Sequence, residues 1–304
     1  MSSPIISVLM STYNETPEEL DKSIVSILQQ TYSDFEFLII NDNPGNHEMK
    51  MQLESYTDNR IKIIQNEHNL GLVKSLNKGL LLCNGQYIAR MDADDISRSS
   101  RLKDELLYLT DNRLDMVGSF IETIDESGKT IKPVMKFPVE NKKIEKFMRW
   151  GSCICHPTWL LKREVYMNLS GYRMMPHCED YDFILRTIAH GYKVGNIPKV
   201  ELCYRIRQNG VSKSNEAEQF LIRDYLAQHM NQIDKITEES IAEHMESSKY
   251  HSQLHQLSDY KSKKQKIKKG NRFESAKTFM SISSNPFFWR DIVEKVTSFA
   301  REHT

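Results

Sequence analysis

The chain has 304 residues, 41 basic and 41 acidic side chains and a hydrophobic fraction of 39%. Its balanced charge offers no global field for nucleic acid, and no apolar run approaches the roughly eighteen residues of a membrane span. The opening Met-Ser-Ser-Pro lacks the basic and apolar regions of a signal peptide, so a soluble cytoplasmic protein is expected, and the length suits one large domain or one domain with an appendage.

Residues 5–10 form a short continuous apolar run, the mark of a strand covered on both faces. The polar turn Ser11–Asn14 follows, then a helix with Leu20, Ile24, Ile27 and Leu28 at helical spacing. A second run, Phe35 to Ile40, ends where Pro44 and Gly45 force a loop. A helix carrying Met49, Leu53 and Tyr56 leads to a strand at 61–64, and a helix over 72–82 precedes a strand from Tyr87 to Asp92. This alternation predicts a doubly wound, mostly parallel α/β sheet flanked by helices. Ligands of such sheets bind outside the carboxyl ends of the strands, where the loops Ser11–Asn14, Asn41–Asn43 and Asp92–Asp95 would meet.

The pattern changes after residue 110. Residues 116–124 and 130–134 read as a hairpin, and 140–149 as a helix. Residues 156–161 begin a strand, 179–190 form a helix with an acidic first turn, and strands over 192–197 and 200–206 close this half. Gly128-Lys129-Thr130 is not a phosphate loop, because Thr123 stands where that motif requires its first glycine. From about residue 215 the chain turns polar and helical. It includes a basic stretch over 261–272 and a last amphipathic helix with Phe288, Ile292, Val296 and Phe299 along one stripe. The five cysteines (Cys83, Cys153, Cys155, Cys178 and Cys203) read as free thiols, and their spacing with His156 and His177 matches no common zinc module.

The chemistry centres on Tyr87–Asp95, an apolar strand running into Asp92, Asp94 and Asp95. Carboxylates gathered at a strand end suit a hard cation such as Mg²⁺ or Mn²⁺, which keeps water or phosphate oxygens as its other ligands. A metal–diphosphate site is the expected use.

Several motifs together resemble the inverting, nucleotide-sugar-dependent glycosyltransferases of family two, with the GT-A fold. They are Ile6–Asn14, Ser26–Tyr32, Phe35–Asp42, Asn69–Leu72 leading into Asn77, Gly85–Asp95, and Glu179-Asp180. Where the family reads Asp-Asp-Gly-Ser, this chain has Asn41-Asp42-Asn43-Pro44, so only Asp42 is carried over. The resemblance implies a UDP-sugar donor, with Asp42 accepting from the uracil imide, Tyr13 packing on the base and Ser11 nearby. Asp94 would ligate Mn²⁺ or Mg²⁺, Asp92 would meet the ribose or the metal's water shell, and His156 stands where the family has a histidine near acceptor and metal. Lys74 is a candidate for the diphosphate, and Asp95 for a helix cap. Asp180 is the expected general base, with Glu179 as runner-up and Asp182 on another helix face. A helix N-terminus should lower the pKa of Asp180, whereas burial beside an anionic donor should raise it.

The implied catalytic domain is 1–215, with a nucleotide half (1–110) and an acceptor half (111–215). Residues 216–304 form a helical extension. The implied acceptor is a glycan, in lipid-linked form, of capsule, O-antigen or lipooligosaccharide synthesis, with no nucleic-acid partner. Residues 261–272 and the last helix would touch an anionic membrane at the inner face of the plasma membrane. A polyprenyl-phosphate sugar synthase and a non-catalytic nucleotide-sugar binder share the motifs. A sugar nucleotidyltransferase would need a Gly-rich basic loop that Ser11–Asn14 does not supply.

Overall fold

The computed structural model describes residues 4–207, 215–269 and Phe287. Two compact units form: residues 1–174 with 179–210, and residues 175–178 with 211–304.

In the first unit, strand β1 (Ile6–Thr12) is buried along nearly its whole length. Helix α1 (Pro17–Leu28) starts where Thr16 and Glu19 form a reciprocal capping box and Pro17 takes the first helical position. Strand β2 (Phe35–Asn41) is wholly buried, α2 (His47–Glu54) is capped by Asn46, and β3 (Ile61–Gln65) follows. Helix α3 (Leu72–Leu82) leads to β4 (Tyr87–Asp92), the two-residue β5 (Ile96–Ser97) and α4 (Arg101–Asp111). Strands β6 (Met116–Ile124) and β7 (Thr130–Met135) form the expected antiparallel pair, followed by α5 (Asn141–Phe147). After a one-turn 3₁₀ helix (His156–Thr158) come β8 (Leu160–Lys162), α6 (Arg163–Asn168), α7 (Glu179–Ala189) and β9 (Val194–Arg205).

Among the described residues these strands make one nine-stranded sheet in the order β3-β2-β1-β4-β8-β6-β9-β5, with β7 beside β6. Strands β3, β2, β1 and β4 are parallel, as strand–helix alternation requires, and β8 runs antiparallel between β4 and β6. Ile6, Val8, Met10, Phe37, Ile39, Ala89 and Met91 turn one sheet face onto Leu20, Ile24 and Ile27 of α1, with Leu102 and Leu109 of α4 in the same core.

Two expectations are corrected. The strand placed over 156–161 begins only at Leu160, because His156-Pro157-Thr158 closes a 3₁₀ turn through Trp159 N–H to His156 O. The two strands over 192–197 and 200–206 are one strand, β9. Its exposed Pro198 sits at an irregularity where the pairing with β6 shifts register, so the missing N–H breaks no ladder bond.

The second unit is helical: α8 (Glu216–Gln228), a kinked 3₁₀ segment (Met230–Lys235), α9 (Glu238–Glu246) and α10 (Ser248–Lys269). Tyr225 stacks on His244, which meets the buried Tyr250 edge-on. The expected last helix with Phe288, Ile292, Val296 and Phe299, and Arg272 of the basic stretch, lie outside the described residues. No helix among the described residues is long and apolar enough to cross a membrane.

The turn into β4 requires Gly85. A Cβ there would stand 2.5 Å from the Ser7 backbone nitrogen and 2.7 Å from the Ile6 carbonyl carbon, and backbone cannot move aside as a side chain can. Gly85→Ala is therefore expected to destabilise the fold by about 1–3 kcal/mol, read as a lower urea midpoint at unchanged slope.

Candidate active site

Strand register brings the three polar loops together. Ser11 of β1 lies opposite both Ile40 of β2 and Asp92 of β4, and Thr12 pairs with Asn41. Asp42 N–H continues the ladder to Thr12 O at 2.9 Å. Ser11, Asp42 and Asp92 thus stand side by side at the carboxyl edge, although up to 81 positions separate them in the chain. Tyr13 follows with its side chain 44% exposed, and its carbonyl accepts from Asn43 Nδ2 at 2.7 Å. Its ring is therefore not a strand-end aromatic packed into the sheet.

Asp42 is 2% exposed and already engaged. Oδ1 accepts from Asn66 Nδ2 and from Leu70 N–H, both at 2.8 Å, and Oδ2 accepts from Gly71 N–H at 2.9 Å. This explains the Asn69-Leu70-Gly71 signature. Gly71 has φ +80°, a left-handed conformation that suits glycine, and it places two successive amides on one carboxylate just before α3. Besides the uracil contact expected of it, Asp42 holds the 66–71 turn. Lys74, one turn into α3, is exposed and makes no ion pair among the described residues.

The acidic strand end is crowded. Arg90 Nη2 donates to Asp92 Oδ1 at 2.5 Å. Arg207 Nε lies 2.8 Å from Asp94 Oδ2, and its Nη2 donates to Glu19 at 3.0 Å. Burial, then the Asp92 charge, pushes the Asp94 carboxyl up to about 6, against the opposing pull of Arg207. Asp95 is no helix cap, because Ser100 precedes α4. Instead its Oδ1 accepts from Arg205 N–H at 2.7 Å and its buried Oδ2 has no partner, so burial holds its carboxyl well above the usual range.

Across the sheet edge, α7 begins with Glu179 and Asp180. Burial, then the neighbouring Asp180, raises Glu179 to about 7, and burial raises Asp180 although its Oδ1 accepts from Tyr181 N–H at 2.7 Å. Desolvation thus overrides the helix terminus. The Asp92 charge also lifts Asp180, which puts the β4 carboxylates and the α7 carboxylates within electrostatic reach of each other. Asp182 is fully buried and paired with Arg173 and Arg186, hence structural.

His156 is not assembled with Asp92 and Asp94. Its Nε2 bonds to Tyr172 Oη at 2.8 Å, and burial keeps the ring well below its ordinary pKa. Among the described residues no group of three or more His, Cys, Asp and Glu is placed to hold a metal ion. The expected third ligand is therefore corrected to a neutral imidazole positioned by Tyr172. What remains is an oxygen-donor pair, Asp92 and Asp94, whose crowded negative charge suits a hard cation bound through one or two carboxylates, with water and phosphate completing its shell. All five cysteines are free.

Residues 7–170 match the model of glycosyl transferase family 2. The chain belongs to that family. It is 37% identical over 231 residues to the O-antigen biosynthesis glycosyltransferase WbnJ of Escherichia coli, covering 73% of this chain and 89% of that protein. It is also 29% identical over 229 residues, 74% of this chain and 82% of the other, to an Escherichia coli UDP-Gal:alpha-D-GlcNAc-diphosphoundecaprenol beta-1,3-galactosyltransferase. The fold is similar to that of Staphylococcus aureus TarS 1–349, solved with UDP-GlcNAc, at a TM-score of 0.57 and 17% identity over 79% of this chain and 72% of that one. The protein is thus a glycosyltransferase with the GT-A fold, and its relatives act in surface-polysaccharide synthesis. Family 2 transferases generally use a divalent metal.

Sequence reasoning missed Arg90, Arg205 and Arg207, which counter the acidic cluster. The only sequence signal was an arginine inside an otherwise apolar strand.

Replacing Asp42 separates its two roles. Asp42→Ala leaves the Leu70 amide unpaired and Gly71 N–H with Asn69 Oδ1 alone, and is expected to cost about 3 kcal/mol of unfolding free energy, given roughly 1.5–3 kcal/mol for a hydrogen bond to a charged group. Wild-type stability with loss of nucleotide binding would instead put Asp42 on the ligand.

Proposed function

We propose that the protein is an inverting, divalent-metal-dependent transferase that moves a hexose or N-acetylhexosamine from a UDP-sugar to a hydroxyl of a lipid-linked surface glycan. The observation that carries this reading is the strand register that sets Ser11, Asp42 and Asp92 side by side at the carboxyl edge, with the Asp92 charge raising Glu179 and Asp180 at the start of α7. The UDP-GlcNAc complex of TarS and the UDP-galactose donor and diphosphoundecaprenol-linked acceptor in the name of the Escherichia coli relative lend support.

On this reading residues 1–110 bind the donor. Tyr13 offers its exposed face to the uracil, and the turn held by Asp42 closes the base pocket beside Ser11. Asp92 and Asp94 hold the metal, which when bound neutralises charge on the diphosphate. Lys74, exposed near the α3 N-terminus, is retained as a diphosphate contact.

Residues 111–215 bring the acceptor. Asp180 takes the hydroxyl proton as that oxygen bonds to the anomeric carbon, while the bond from that carbon to the UDP oxygen breaks and its electron pair leaves with UDP. No covalent intermediate is needed, and the configuration inverts. Glu179 is the alternative base. Residues 216–304 are the appended segment. Transfer to polyprenyl phosphate itself is the second reading, and an acceptor panel containing both lipid classes separates the two.

Calorimetric titration of UDP is expected to show binding with Mn²⁺ and little with EDTA. Asp94→Asn removes that metal-dependent binding, whereas Asp180→Asn spares it and lowers kcat by about 10²–10⁴. Absence of UDP binding under both conditions would sink the donor assignment.

A general base acts only when ionised. With burial raising both Asp180 and Glu179, kcat should therefore rise with pH through an acidic limb displaced above the ordinary carboxylate range and level off above it. A flat profile from pH 5 to 8 contradicts a carboxylate base with raised pKa.

Peripheral contact with an anionic membrane is proposed through 261–272 and the segment that follows. Within the second unit Lys261 already pairs with Glu216 at 3.1 Å and Lys263 with Asp259 at 2.8 Å, while Lys264 lies over the Tyr260 ring. Cosedimentation with anionic liposomes, absent with neutral ones, is the expected result, and equal binding to both counts against a charge-driven contact.

A further inference from the structure

Arg90 is an anomaly of burial. It lies in β4, a strand flanked by β1 and β8, with its side chain 1% exposed. Its backbone is fully used, since its N–H donates to Trp159 O at 2.8 Å and its carbonyl accepts from Arg101 Nη2 at 2.6 Å. Its guanidinium is not. Nη2 holds Asp92 Oδ1, while Nε and Nη1 are buried with no hydrogen-bond partner. A buried guanidinium with unmatched donors is costly, and a strand of this burial would accommodate an apolar side chain more readily.

Its surroundings account for its presence. Arg90 shares a strand face with Asp92, two residues on. Its positive charge is felt by Asp92 and Asp95 at the strand end, by Glu179 and Asp180 on α7, by His156 of the 3₁₀ turn, by Tyr166 of α6 and by Tyr172. The two tyrosines and His156 form a hydrogen-bonded chain, Tyr166 Oη to Tyr172 Oη to His156 Nε2, each link 2.8 Å. That chain is neutral, because burial pushes both phenols up and the imidazole down. Arg207 and Arg205 act on the other side, at Glu19, Asp94 and Asp95. The guanidinium of Arg90 is therefore the buried positive charge that serves Asp92 and the α7 carboxylates together.

We propose that Arg90 is a positioning residue of the transfer reaction: its guanidinium fork fixes one oxygen of Asp92 through Nη2, leaving the other for the donor, and it supplies the buried positive charge beside that carboxylate. The proposal rests on the donor and base roles assigned above. It predicts separate effects of the fork and of the charge. Arg90→Lys keeps the charge and loses the fork, so the metal-dependent Kd for UDP rises about 10-fold while the acidic limb of kcat stays in place. Arg90→Gln loses both, so Kd rises similarly, kcat falls about 10–100-fold and the limb moves to higher pH, magnitudes typical of partners that orient a ligating side chain. Free guanidinium should restore part of the kcat of Arg90→Ala.

The test is UDP calorimetry with Mn²⁺ and transfer assays from pH 5 to 9 on these variants, with thermal melts alongside. A lowered melting temperature with Kd and limb unchanged makes Arg90 merely structural and overturns the proposal. Should Arg90→Gln fail to fold, Arg90→Lys decides alone, and wild-type Kd in that variant overturns the fork. Asp180→Asn and Glu179→Gln serve as controls. If both retain transfer, the base assignment fails; if transfer is lost in them but the Arg90 variants behave as wild type, only the present inference fails.

Discussion

Carboxylate crowding at the carboxyl edge of the sheet is the constraint on which the rest of the site depends. Asp92, Asp94 and Asp95 follow one strand, and Glu179 and Asp180 open a helix close enough to feel Asp92. Like charges in a desolvated place raise one another's pKa and repel the segments that bear them. The fold answers with arginines from two strands: Arg90 beneath Asp92, and Arg205 and Arg207 at the end of β9 beside Asp95, Glu19 and Asp94. Residual strain remains in the raised carboxyls of Asp94 and Glu179, and a cation at Asp92 and Asp94 would relieve it. On the proposed reading, this crowding is what a bound cation and diphosphate would meet.

Much of this was legible in the sequence because parallel-sheet geometry is nearly deterministic. Once Ile6–Met10, Phe35–Ile40 and Tyr87–Met91 are read as buried strands joined by helices, their carboxyl ends must lie together, and Ser11, Asp42 and Asp92 follow as neighbours. The start of α7 was equally readable from its acidic opening. The β6–β7 pair needed only alternation and an Asp-Glu-Ser-Gly turn.

What was not legible depends on partners remote in sequence. Asp95 read as a helix cap because caps are local, yet its hydrogen bond comes from Arg205, 110 positions away. The second task of Asp42 was hidden because nothing in its neighbourhood announces that the amides of Leu70 and Gly71 return to it. His156 looked available to a metal because its tie to Tyr172 crosses 16 residues and a helix. Pro198 suggested two strands where an irregular register lets one pass through. In each case periodicity fixed the backbone, and a long-range polar contact then fixed what the side chain does.

The base illustrates how magnitudes decide between opposed effects. A helix N-terminus stabilises a carboxylate by roughly 0.3–1 kcal/mol at an exposed site. Removing that carboxylate from water beside other anions works in the opposite direction and, for fully buried groups, shifts a pKa by several units. With Glu179 and Asp180 set among Asp92 and the neutral Tyr166–Tyr172–His156 chain, desolvation wins and both groups rise. Arg90 limits that rise. Its guanidinium, joined to Asp92 by a single nitrogen and opposing the rise of both α7 carboxyls, gives a physical reason for a buried arginine in this strand.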